Sequence, residues 1–114
     1  MSMENLMEEV KECVEHEYSR ASDNYGPTNH SDHESCAIIL EEFEEARSEL
    51  NALSGELDSF WQAVKANDDN DAKQVLLKVI YMRAMLGACE LIQVAAMAHK
   101  AMVTIQSREV ESRC

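Results

Sequence analysis

Three glutamates, Glu41, Glu42 and Glu45, form the pattern E-E-x-x-E inside residues 31–45. Glu42 and Glu45 are three residues apart, so in a helix they share a face. Two carboxylates on one face can hold a hard divalent cation, and such a cation can hold a phosphate. At about 100° per residue, Ile39, Phe43, Ala46 and Leu50 define an apolar direction. Glu42, Glu45 and Glu49 fall to one side of it, and Glu41 lies farther round toward solvent. Boundary positions of this kind are where a helical bundle places carboxylates that face a cleft. With 22 acidic residues in 114, the same pattern is also what a solvated acidic helix presents.

A second set lies downstream. Glu90 sits near the middle of an otherwise apolar face with Leu76, Ile80, Val94 and Met97, and Arg83 is on that face two turns earlier. A charge buried alone is costly, so each needs a partner or water. Two arrangements satisfy them. One is a structural Arg83–Glu90 pair, within or between chains; the other is a site that Glu90 shares with the acids of the preceding helix. Gln93 is one turn beyond Glu90 and can present its oxygen in the same direction. His16, His30, His33 and His99 show no ligand spacing, and Trp61 reads as a packing residue beside Phe60 and Val64. The glycine-rich phosphate loops, the H-E-x-x-H zinc pattern and a Ser/His/Asp arrangement are all missing from the sequence.

Periodicity and end signals place helices over about 3–23, 32–65 and 72–106. In the first, Leu6, Val10, Cys13, Val14, Glu17 and Ala21 fall at helical spacing. Gly26-Pro27 ends it and opens a short, ordered connection. Ser31 and Glu34 form the S-x-x-E capping box of the second helix. The stripe Ile39, Phe43, Ala46, Leu50, Leu53, Leu57, Phe60, Val64 continues past Gly55, where a break or kink is possible. Asn70 or Asp71 is the expected N-cap of the third helix, and residues 108–114 are expected to fray.

With three glycines, one proline and 5% aromatic residues, the chain reads as all-α, a long-helix bundle in a single domain spanning 1–114. A thirty-residue helix is about 45 Å long, more than a compact domain of this size covers. A homodimer or tetramer is therefore expected to complete the bundle. The net charge of −12 argues against a nucleic acid polymer as partner. No signal peptide and no membrane-spanning run is recognised. Cys13, Cys36, Cys89 and Cys114 lack zinc spacing. The expected setting is the reducing cytoplasm, with the internal cysteines acting as packing residues.

The segments Tyr25-Gly26-Pro27, Ser31-Asp32-His33-Glu34 and Ala37 through Glu45 resemble the MazG-like proteins of bacteria and their phages. Phe60 through Lys65 and Ala88 through Ala98 extend the resemblance. It implies an all-α nucleoside triphosphate pyrophosphohydrolase that dimerises or tetramerises and releases the monophosphate and pyrophosphate with Mg²⁺, or with Mn²⁺. It implies Glu42, Glu45 and Glu90 as metal ligands and Glu41 as the residue that orients water. Arg83 would neutralise phosphate charge or pair with an acid. Gln93 stands where the family's E-x-x-D motif has its aspartate, so the last metal position is a neutral amide. The gap between the motifs is also longer than in the family, with 57–71 as the extension. These departures leave open a non-catalytic nucleotide- or protein-binding module of the same fold.

Overall fold

The computed structural model describes residues 2–113, with side chains described over 2–111. Among the described residues there are three helices and no strand: α1, Met3–Tyr25; α2, Asp32–Lys65; α3, Asn70–Arg113. The all-α reading holds. None of these helices is long and apolar enough to cross a membrane.

The helix ends are fixed by local chemistry. Ser2 caps α1 by accepting from Asn5 N at 3.2 Å. α1 runs two residues past its expected end, because Gly26 is the first residue to leave helical geometry, at φ 88°. Ser31 Oγ accepts from Glu34 N at 3.1 Å, the first half of the expected capping box. The Glu34 carboxylate lies 3.1 Å from His30 Nδ1.

α2 is unbroken through Gly55. It ends in a Schellman motif: Asp68 N donates to Ala63 O at 3.0 Å and Asn67 N to Val64 O at 3.1 Å. Asn67 takes the left-handed position, at φ 54°. With the turn complete at Asp68, the cap of α3 falls on Asp69, whose Oδ1 accepts from Ala72 N at 2.8 Å. The cap is thus neither Asn70 nor Asp71. Residues expected to fray continue α3 as far as Arg113, and Arg108 on that stretch pairs with Asp32.

The chain packs as two units. The first comprises residues up to Phe43 and those from Leu91 onward, that is α1, the start of α2 and the second part of α3. Its loop is tied down: Tyr18 Oη donates to Pro27 O at 2.9 Å, and Asn29 N donates to Thr104 Oγ1 at 2.9 Å. Tyr18 also meets His99 edge-on, with centroids 4.6 Å apart. The second unit, Glu44–Glu90, is a hairpin of α2 and α3. There the helices come close at Gly87, where an added Cβ would lie 3.9 Å from Glu49 Cβ and from Leu50 Cδ2.

Among the described residues the buried apolar ones are Ala46, Ala63 and Ala96, and no large side chain is fully buried. Half of the expected α2 stripe, Phe43, Leu50, Leu57 and Val64, is exposed. Cys13, Cys36 and Cys89 are free and exposed rather than packed, since they fall outside the narrow helix contacts. Cys114 lies outside the described residues.

Candidate metal centre

Within the Glu44–Glu90 hairpin, Glu45 on α2 faces Glu90 on α3. Burial raises the Glu90 pKa first, followed by the charge of Glu45, a hydrogen bond with Glu45 and the charge of Glu49. Glu42 lies one turn before Glu45 on the same unbroken helix, so its place relative to Glu45 is set by helix geometry. A carboxylate oxygen of Glu45 and one of Glu90 lie within 4.8 Å of each other.

Two oxygens on one Mg²⁺ are at most about 4.2 Å apart, twice the Mg–O distance. Side-chain movement of a few tenths of an ångström closes the Glu45–Glu90 pair to that limit. Hard anionic oxygens of this kind suit Mg²⁺ or Mn²⁺. The raised pKa of Glu90 reflects its burial first and then the charges of Glu45 and Glu49, which either a proton or a cation relieves.

Arg83 does not pair with Glu90. Its Nη1 donates to Glu49 at 2.9 Å, and its Nε and Nη2 donate to Glu56 Oε1 at 3.0 and 2.9 Å. Both acids are on α2, so the guanidinium ties the two helices of the hairpin together. These bonds hold Arg83 firmly in its charged form.

Gln93 and Glu41 belong to the first unit. There, a cavity of about 590 Å³ is lined by Glu34, Ile38, Glu41 and Glu42 from α2. Arg20, Asn24 and Tyr25 from α1 and Gln93, Met97 and Lys100 from α3 form other walls. Glu41 is exposed on the α2 wall. The Gln93 amide is oriented by Glu17: Nε2 donates to Glu17 Oε2 at 2.7 Å. That oxygen also accepts from Arg20 Nη2 at 2.6 Å. The Glu17 carboxyl is held below its ordinary range, first by Arg20 and then by Gln93.

Sequence reasoning brought out Glu42, Glu45 and Glu90. It missed Glu56 as the partner of Arg83, and it missed Glu17, Arg20 and Lys100. Two signals for the latter were present. Glu17 is an acid on the packing face of α1, and Lys100 follows Gln93 by seven residues, two turns on one face. Comparison with protein-family models, with curated proteins and with solved structures finds no match.

Proposed function

We propose that the chain is a MazG-like, Mg²⁺-dependent nucleoside triphosphate pyrophosphohydrolase of the cytoplasm, acting as a homo-oligomer. The observation that carries the reading is that, within the Glu44–Glu90 hairpin, carboxylate oxygens of Glu45 and Glu90 lie within 4.8 Å of each other. These residues come from the two motifs on which the resemblance rests, although Glu45 and Glu90 are 45 positions apart. Chain folding, not sequence proximity, accounts for their meeting.

In this reading Glu42, Glu45 and Glu90 hold the cation. When bound, Mg²⁺ neutralises phosphate charge and makes the phosphorus a better electrophile. Glu41, exposed on the α2 wall of the cavity, accepts a proton from the attacking water. Arg83 serves as a clamp between helices, since its donors are taken by Glu49 and Glu56. Gln93 serves Glu17 through its Nε2 and brings no negative charge to the cation.

The test is a panel of ribo- and deoxyribonucleoside triphosphates with Mg²⁺ or Mn²⁺, assayed for pyrophosphate. Release should require the cation and be lost in Glu42→Ala and in Glu45→Ala. Turnover that survives both substitutions would overturn the assignment. A second reading, a binding module without turnover, is favoured by one observation: the amide of Gln93 at the family's last acidic position. In that case nucleotide with Mg²⁺ raises the melting temperature and no pyrophosphate appears.

A further inference from the structure

The cavity of the first unit divides its charge by wall. The α2 wall carries the acids Glu34, Glu41 and Glu42; the α1 and α3 walls carry Arg20 and Lys100. Lys100 is only 5% exposed, so a charged side chain has been taken almost wholly out of water at the lining of a cavity. Burying a charge in that way needs compensation, by neighbouring acids or by a bound anion. The turn that carries it is anchored. Thr104 Oγ1 donates to Lys100 O at 2.8 Å and accepts from Asn29 N at 2.9 Å.

Arg20 is the more exposed cation, and its guanidinium is oriented by one atom. Glu17 Oε2 accepts from Arg20 Nη2 at 2.6 Å and from Arg20 Nε at 3.2 Å. The same oxygen accepts from Gln93 Nε2 at 2.7 Å, which ties α1 to α3. The amide is needed for this. An aspartate at position 93 would have no N–H to give and would set a second negative charge beside Glu17.

We infer that Gln93 is a positioning residue: through Glu17 it holds Arg20 on the cavity wall, where Arg20 and Lys100 bind the phosphate chain of the ligand. The chemical class is a polyphosphate that meets side-chain cations on the α1 and α3 walls and a divalent cation at the acids of α2. This rests on the metal–nucleotide reading above for the source of the phosphate, but not on turnover.

Inorganic tripolyphosphate is the probe, titrated calorimetrically into the full chain with Mg²⁺, alongside a titration of Mg²⁺ alone. Arg20→Gln and Lys100→Gln should each weaken tripolyphosphate about tenfold or more, as expected for loss of a charge-assisted contact. Gln93→Glu should weaken it similarly and leave affinity for Mg²⁺ alone within about twofold, because no cation ligand is removed. In an Arg20→Gln background, Gln93→Glu should cost little further affinity, because Gln93 acts through Arg20. A merely structural role would give losses that add in full.

Tripolyphosphate affinity unchanged in Arg20→Gln and Lys100→Gln would overturn the inference. So would a tenfold change in affinity for Mg²⁺ alone in Gln93→Glu, or losses from Arg20→Gln and Gln93→Glu that add in full. If nucleotide turnover is absent while the tripolyphosphate pattern holds, the hydrolase reading falls and this one stands. If turnover is present and the pattern fails, the reverse is true.

Discussion

Glu90 is the residue on which the candidate centre turns, and its protonation gives a signed prediction. Burial and the nearby Glu45 and Glu49 raise its pKa in the folded chain. The folded state therefore binds this proton more tightly than the unfolded state. In the metal-free protein the resulting stabilisation is present at low pH. It is lost as pH rises from the ordinary glutamate value, about 4.3, through the raised folded value. A bound cation needs the ionised form, so stabilisation by Mg²⁺ grows over that same window. Glu90→Gln should flatten the first slope in thermal melts and cut the affinity for Mg²⁺ about tenfold or more, as loss of one of three charged ligands implies. An unchanged Mg²⁺-induced rise in melting temperature for this variant would remove Glu90 from the centre. Glu17 has the opposite sign. Arg20 and Gln93 lower its pKa, so its contribution is complete above the ordinary value and is lost as pH falls through the folded one.

At the scale of the helices, much was legible because ends and faces are local properties. Gly26, the Ser31 cap and the polar stretch after Lys65 each act through neighbours within a turn, and the helix limits follow from them. The acid on the greasy face of α3 could be read from spacing, since only a cleft or a partner accommodates it. What periodicity could not supply was which charges meet across helices. Arg83 reaches Glu56 and Glu49, at sequence separations of 27 and 34, and Gln93 reaches Glu17 at 76. Those pairings depend on packing between elements. Gly55 illustrates the same limit: composition allowed a kink, but α2 passes through it intact, with open space where a Cβ would stand. Gly55→Ala should therefore stabilise the chain by about 1 kcal/mol through helix propensity. The check is a shift of the urea midpoint to higher concentration with an unchanged slope. A shift to lower concentration would mean that Gly55 serves a bend.

At the scale of the whole chain, the exposed apolar residues of the second unit suit a second copy. On the Glu44–Glu90 hairpin, Leu50, Leu57 and Val64 are exposed at intervals of seven, as are Val75 with Met82 and Val79 with Leu86. Seven residues are two helical turns, the repeat by which helices bury a continuous seam against one another. Among the described residues the buried apolar side chains are alanines, Ala46, Ala63 and Ala96, too small to hold the chain folded without further cover. Sedimentation should accordingly give a dimer or tetramer. Leu57→Glu with Met82→Glu should lower both the mass and the melting temperature, because two charges then enter each seam. The melting temperature of the wild-type chain should also rise with protein concentration, as mass action demands when folding and association are coupled. A wild-type monomer that melts cooperatively at a concentration-independent temperature would show that the seam is not what keeps this chain folded.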